Sequence, residues 1–484
     1  MPRRLSSVLT HFDIWQSEMI DFIMEKVNRR QQPDILHGSL WKALPQFAIP
    51  VAATAILEQL FNASDLAVVG NFSQQDSTVA VAAVGANSPL IGLIVNLFIG
   101  IALGSNVVIA HVVGQGKKEA VEKAVHTSVI VALLGGIGVA LLGELVAAPV
   151  LRLLQVPQEA FSAALLYLRI YLCGMPVILL YNFEAAIFRS IGETKVPLIA
   201  LAGSGVLNVL LNLFFVVVLH RGVDGVAVAT VISNAVSAAV LFFCLLHTKQ
   251  SIRLQLRRLR IDPATLGQIL RIGLPAGIQS ALFSVSNIVI QSAVNSLGTD
   301  AMAASSAALN IELITYDILN AFAQACTTFV GQNFGAGSFP RCKKILFCCL
   351  LEGGIVLGAA IALILSLGKP LLSVFGSTEA VLKLGYLRLV IVMLSHFFSL
   401  LYEVFSGYLR GFGISFVPAV LTMLGVCCIR IAWIQFVFVR NQTFQTILIA
   451  YPISLFTTAL LLFVALLCYH PAKRFGKTVR QVAD

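Results

Sequence analysis

Along most of its length the chain repeats one pattern: about twenty or more apolar residues, then a short polar or basic break. Twelve such runs are long enough to cross a bilayer as helices: 45–70, 88–113, 124–148, 165–188, 197–219, 225–247, 270–294, 305–330, 345–367, 385–408, 418–439 and 447–468. The pattern predicts an all-α polytopic membrane protein with twelve transmembrane helices. Polar residues inside the runs are few, so each of them needs a reason. In the first run the stretch "ILEQLFNASDL" places Glu58, Asn62 and Asp65 at i, i+4 and i+7, on one helical face.

Composition agrees with the pattern. The chain is 58% hydrophobic and 12% charged, with mean hydropathy +0.89, whereas soluble domains average about a quarter charged residues. Nine cysteines fall mostly inside the runs without CxxC or Cys/His spacing and read as small packing residues. Of the 33 lysines and arginines, 24 lie in the connections that share a side with both chain ends; Arg152, Arg221, Lys369, Lys383 and Arg440 lie on the other side. Basic residues stay cytoplasmic, so both termini are expected there, with the anionic inner leaflet as partner. The net charge of +10 is then a topology signal, and no nucleic-acid partner is required. Residues 1–39 are a cytoplasmic segment without a signal-peptide core. Phe12, Trp15, Met19, Ile23 and Val27 recur there at helical spacing, which suits either an amphipathic helix on the inner leaflet or an unstructured tail.

The chain also repeats itself. "HVVGQGKKEA" at 111–120 corresponds to "QNFGAGSFPR" at 332–341, and "FRSIGETKVP" at 188–197 to "LRGFGISFVP" at 409–418, both at an offset of 221. Tyr181 with Tyr402 keeps that offset, while "YLR" at 167 and 386 gives 219. Two lobes are expected, 40–247 with helices one to six and 270–468 with helices seven to twelve, joined by a basic linker at 248–269 and followed by a basic tail at 469–484. Six is even, so the lobes share one orientation and their pseudo-two-fold axis runs along the membrane normal.

A carboxylate within a bilayer is costly and usually marks an ion or substrate path. Asp65 lies about 10 Å from the outer end of helix one, counting 1.5 Å per residue. Helix five brings Asn212 and, one turn deeper, Asn208 to a similar depth; helix six brings Thr230 and helix four Tyr167. Oxygen ligands from Asp65, Asn208, Asn212 and Thr230 suit Na+, whereas a desolvated aspartate suits a proton. A polar stripe that only joins helices is the bland alternative.

Helix seven carries Ser280, Ser284, Asn287 and Gln291 on one face without a carboxylate. With Asn62, the residues Asn287 and Gln291 are candidate cavity linings. Glu58 and Asp317 are candidate cavity acids for a cationic substrate or, equally, members of structural pairs. Glu184 and Glu403 are expected to form local salt bridges with Arg189 and Arg410, while Glu312 and Glu352 carry no assignment. Pro50 is either a hinge or a fixed kink. The chain has no HExxH, DDxxD or GxSxG arrangement, and "GQGKK" lacks the phosphate-binding GxxxxGK[ST] frame, so an enzyme is not supported.

The ordered set Pro50, Gln59, Asp65, Val69 and Gly70 in helix one, a G-x-G loop after helix two and "FRSIGETKVP" after helix four, with both loops recurring in the second half, resembles the multidrug and toxic compound extrusion (MATE) transporters. The resemblance covers about residues 40 to 470. It implies two six-helix lobes around a central cavity that opens alternately to each side, with efflux of small organic, mainly cationic, substrates driven by H+ or Na+ and no other cofactor. It further implies a monomer in a bacterial inner membrane. Cation coupling maps onto Asp65, Tyr167, Asn208, Asn212 and Thr230. Some members have a second acid where this chain has Asn212, and some carry a glutamate on helix seven, which this chain lacks; coupling is therefore expected in the first lobe. A lipid-linked oligosaccharide flippase shares the superfamily's fold and is the alternative. Its arginine-rich lumen has few counterparts here, namely Arg169, Arg388 and Arg430.

Overall fold

A computed structural model of the chain describes residues 33–72, 77–154, 156–373 and 378–476. Twelve helical rods follow one another: α1 (Leu40–Phe72), α2 (Ser77–Gly114), α3 (Lys118–Leu153), α4 (Gln158–Cys173 and Met175–Ser190), α5 (Lys195–Leu213, continued by a π-helical turn Phe214–Val218) and α6 (Val223–His247). The second half has α7 (Pro263–Asn295), α8 (Thr299–Gly335), α9 (Phe339–Ser366), α10 (Glu379–Gly411), α11 (Phe416–Thr422, a π-helical turn Met423–Cys428 and Ile429–Phe436) and α12 (Phe444–Tyr469). Among the described residues, ten helices are long and apolar enough to cross a membrane, and α4 makes eleven when its two segments count as one bent span. The twelfth, α8, is 37 residues long but more polar, since it carries Asn310, Glu312, Asp317, Asn320 and Gln324.

Most rods outrun the apolar stretches that predict them, because helical hydrogen bonding continues into the polar ends. Helix two is the largest departure, beginning near residue 77 rather than 88. Helix four bends by 49° at Gly174, where Pro176 lacks an amide donor and its ring would clash with the carbonyl four residues earlier. The basic segment 248–269 packs against the first half. Ile252 and Leu254 are buried, the Gln255 amide donates to His126 Nε2 at 3.1 Å, and the Asp262 amide to Thr127 Oγ1 at 3.1 Å. Its last residues already belong to α7. The amphipathic helix expected within 1–39 falls largely on residues 1–32, outside the described residues; in the tail, helix continues through residue 476.

The two halves exchange helix ends. The first turns of α1 (Leu44, Phe47, Val51) pack with Phe322, Phe329 and Cys349 of α8 and α9, in the second half. Val68 and Val69, at the far end of α1, pack instead with Leu168 and Val226 of α4 and α6. Reciprocally, Ile269 and Ile272 of α7 join the core of the first half, while Ile290 and Val294 join α10 to α12. Chain order divides the lobes at the linker; in space, α1 and α7 each belong to both.

The face that carries the described chain ends is sealed. A Cβ on Gly114 would stand 2.0 Å from the Gln332 carbonyl oxygen, and one on Gly335 would stand 2.1 Å from that of His111. Only glycine at both positions lets α2 and α8 touch backbone to backbone. Around that contact His111 Nε2 bonds the Gly411 carbonyl at 2.7 Å, Gln332 Nε2 donates to the Ser190 carbonyl at 2.7 Å, and Arg189 Nη1 donates to Gln324 Oε1 at 2.7 Å. Each bond joins the first half to the second.

Candidate functional site

Near the opposite face, α1 lies hard against α5. A Cβ on Gly205 would fall 1.8 Å from the Phe61 ring, so glycine admits the ring and sets the spacing of the two helices. Asp65 follows one turn after Phe61, and Asn208 and Asn212 follow Gly205 at i+3 and i+7, so all three meet in the same seam. Asn212 Nδ2 donates to Asp65 Oδ1 at 2.5 Å and to Asn208 Oδ1 at 3.1 Å. From α6, Thr230 Oγ1 donates to Asp65 Oδ2 at 2.9 Å, and Asn208 Nδ2 donates to Thr230 Oγ1 at 3.4 Å. All four side chains are buried.

Every hydrogen bond to Asp65 comes from a neutral group, and among the described residues no basic side chain pairs with it. Asn212 Oδ1 is buried without a partner. A buried carboxylate without a counter-charge must bind a cation or take up a proton. The oxygens of Asp65, Asn208, Asn212 and Thr230 provide hard ligands for the first, and Asp65 itself serves the second. Among the described residues no three His, Cys, Asp or Glu side chains converge on one point. Tyr167 is buried nearby, its ring stacked on Tyr171 at 6.2 Å between centroids. Both phenols lie within electrostatic range of Asp65, but among the described residues no hydrogen bond joins Tyr167 to the cluster.

The other expected site residues are more scattered. Asn62 is exposed and stands apart from Asp65 despite its place on the same helical face. Glu58 is accessible and within electrostatic range of Arg189 on α4 and Asp317 on α8. Since those helices belong to opposite halves, Glu58 faces the space between them. Asp317 is buried, with Oδ2 unpartnered. Asn287 is exposed and its Oδ1 accepts from Arg430 Nη1 at 3.1 Å, while Gln291 is occupied along its own helix by Asn295 at 2.9 Å. Pro50 sits within an unbroken α1, where Thr54 Oγ1 donates to the Pro50 carbonyl at 2.8 Å.

Two expected salt bridges are absent. Arg189 and Arg410 reach the glutamines Gln324 and Gln279 instead, at 2.7 and 2.8 Å, and both Glu184 carboxylate oxygens are buried without a partner. Both arginines point away from the acid nearest in sequence, toward another helix.

The second half holds a network that the sequence did not assemble. Arg388 of α10 grips Glu312 of α8 through two bonds, 2.9 and 3.0 Å, and donates to Ser305 Oγ at 2.8 Å. Arg430 of α11 is fully buried between the rings of Tyr451 and Phe283, 4.5 and 5.3 Å from their centroids, and donates to Ser454 Oγ and Asn287 Oδ1 at 3.1 Å each. The signal available in the sequence was two arginines in apolar runs. Nothing in the spacing pairs α8 with α10.

A helical membrane protein in two pseudo-symmetric halves, with a polar cluster buried near one face, has the architecture of a secondary transporter rather than an enzyme. The sequence profile of the MatE family matches residues 50–214 and 275–434, one match in each half. The chain belongs to that family, whose members are secondary active multidrug and toxin efflux transporters. Among curated relatives, the probable multidrug resistance protein YoeA of Bacillus subtilis (strain 168) is 27% identical over 395 residues, covering 80% of this chain and 85% of that protein. The probable multidrug resistance protein NorM of Thermotoga maritima is 26% identical, covering 82% and 86%. Among solved structures, an outward-facing multidrug resistance MATE transporter of the MOP superfamily superposes with TM-score 0.84 at 20% identity, covering 93% of this chain and 99% of that one. A MATE crystal structure in a bent conformation gives 0.83 at 21% identity, covering 92% and 98%.

Proposed function

We propose that this transporter exports amphipathic organic cations in exchange for H+ or Na+, with Asp65 as the exchanging group and Asn208, Asn212, Thr230 and Tyr167 shaping its site. The observation that carries this reading is the charge state of the cluster: one buried carboxylate, only neutral donors, and an unpartnered Asn212 oxygen. Glu58 of the first half and Asp317 of the second supply negative potential for a cationic substrate. The excess of lysine and arginine on the sealed face supports a cytoplasmic location for both termini, and the cluster then lies toward the outside.

A lipid-linked oligosaccharide flippase would use several free arginines against pyrophosphate. Arg388 is already neutralised by Glu312, which favours the cation exporter. Flux of a fluorescent organic cation in proteoliposomes, under separately imposed H+ and Na+ gradients, tests the proposal. Uptake driven by one gradient and dissipated by its ionophore is the expected result, and flux indifferent to both would reject it.

A further inference from the structure

A cavity of about 480 Å³ opens at the sealed face between the start of α1 and the start of α9. Its walls include Ser39, just before α1, Trp41 from α1, and Arg341, Lys343, Lys344 and Phe347 from α9. Among the described residues, three cations and no carboxylate line it. Lys343 and Lys344 are exposed, and neither takes part in a salt bridge among the described residues. The opening is flanked by aromatic surface, with Trp41 53% and Phe347 65% accessible.

What distinguishes this basic site from an ordinary topology signal is the surface that continues from it. Lys344, Phe347, Leu351 and Ile355 follow at i, i+3, i+7 and i+11 on one face of α9, and the three apolar members are all exposed. A positive group at the membrane surface is thus followed by an apolar track running into the hydrocarbon. That order matches an anionic phospholipid, with headgroup at the lysines and an acyl chain along Phe347, Leu351 and Ile355, and with Trp41 at the interfacial level that indoles prefer.

We infer that this cavity binds one anionic phospholipid of the inner leaflet. The inference rests on the proposed membrane orientation and is independent of what the protein transports. The bound lipid ties the start of α1, the helix that leads to Asp65, to α9 of the second lobe. Arg341 already joins them there: its Nε donates to the Ile35 carbonyl at 3.1 Å and its Nη2 to the Gly38 carbonyl, fixing the turn that precedes α1. A phosphodiester beside Arg341 fastens the same end of α1 more firmly onto α9.

The repeat supplies a control. Lys117 caps and Lys118 begins α3, the first-half counterpart of α9, and the two carry the same charge on the same face without lining this cavity. The test is thermal stability of the full chain in detergent, titrated with dioleoyl phosphatidylglycerol or with phosphatidylcholine of the same chains. Phosphatidylglycerol is expected to raise Tm saturably and phosphatidylcholine is not. Lys343→Gln/Lys344→Gln should weaken the phosphatidylglycerol response roughly tenfold or more in concentration, given what basic residues contribute near an anionic surface, while Lys117→Gln/Lys118→Gln should leave it within about twofold. Glycerol 3-phosphate, a headgroup without chains, should have no effect. Equal losses in the two double variants, or equal responses to the two lipids, would overturn the assignment. The chain's own first 32 residues are the competing occupant. A phosphatidylglycerol response that appears only after residues 2–32 are deleted would mean that this segment fills the cavity, and would also overturn it.

Discussion

The two halves repeat one backbone, and each holds a buried charge among neutral partners, the two being of opposite sign. In the first, Asp65 is a carboxylate surrounded by neutral donors from Asn212 and Thr230. In the second, Arg430 is a guanidinium surrounded by the neutral acceptors Ser454 and Asn287 and two aromatic faces. The offset of 221 sets Thr230, which holds Asp65, against Tyr451, which holds Arg430. A carboxylate can exchange a proton or a metal cation at physiological pH, whereas a guanidinium stays charged. Only the first of these charges is of a kind that can be exchanged, and the two stand on helices that are not repeat counterparts, α1 and α11.

The largest expected effect breaks that asymmetry outright. Asp65→Asn keeps the size of the side chain and removes the exchangeable charge. Gradient-driven flux should fall to the level of empty proteoliposomes, while expression and Tm stay near those of the parent. Coupled transport at the parental rate by a correctly inserted variant would remove Asp65 from the mechanism.

Next in size is the buried ion pair of the second half. Glu312→Gln leaves Arg388, 2% exposed, without its counter-charge, and breaking a buried pair from one side costs about 3–5 kcal/mol. The variant should express poorly and unfold at much lower temperature. Replacing both partners, Glu312→Leu with Arg388→Met, should recover most of the loss, since the desolvation cost disappears with the charges. If the double variant is as unstable as the single one, the pair has a role beyond charge compensation.

The sequence shows some of this more readily than the rest, for a physical reason. Apolar runs report burial from water, so the rods were visible, and the loop repeats displayed the two halves. Depth along each run was also readable, which places Asp65, Asn208, Asn212 and Thr230 at one level. Rotation about each helix axis was not readable: Asn62 shares a nominal face with Asp65 but stays out of the cluster. Which helices touch was hidden as well. Arg189 and Arg410 were paired with their sequence neighbours, whereas packing turns them toward Gln324 and Gln279, and the Glu312–Arg388 contact between α8 and α10 left no local signature. The π-helical turn at Phe214–Val218 and the exchange of helix ends between halves arise from packing alone.

A more selective experiment compares neutral members of the two sites. Asn212→Ala removes a donor from a charged acceptor, worth about 1.5–3 kcal/mol, so the driving-cation concentration that gives half-maximal flux should move by roughly tenfold or more; Asn208→Ala should act in the same direction. Asn287→Ala takes an acceptor from the charged Arg430, which cannot exchange its proton, and should alter apparent substrate affinity by roughly tenfold or more, at about 1.5–3 kcal/mol for such a bond, while leaving the cation dependence in place. Gln291→Ala breaks a bond within α7 and should do less. Loss of cation dependence in the α7 variants, with the α5 variants unaffected, would reverse the assignment of the two halves.

The smallest effect belongs to a feature that the halves share. Each helix that crosses between them is preceded by an aspartate held by hydrogen bonds at the sealed face. Asp34 accepts from the amides of His37 and Leu36 at 2.8 and 3.1 Å in the turn before α1. Asp262 accepts from the Thr265 hydroxyl and amide at 2.6 and 2.9 Å at the start of α7. These bonds favour the ionised form and hold both carboxyls below the ordinary aspartate value: the His37 amide is the main cause for Asp34, and the Thr265 hydroxyl for Asp262. A carboxyl whose value is lower folded than unfolded stabilises fully above the unfolded value of about 3.9, and its contribution disappears as pH falls through the folded value. Asp34→Asn and Asp262→Asn imitate the protonated acid, so each should lower Tm slightly at pH 7, by similar amounts, with the difference from the parent shrinking toward zero as pH drops below about 4. A difference that stays constant down to pH 3 would show that these aspartates act through shape rather than charge. A large effect at one site alone would show that the halves already differ where they enter the membrane.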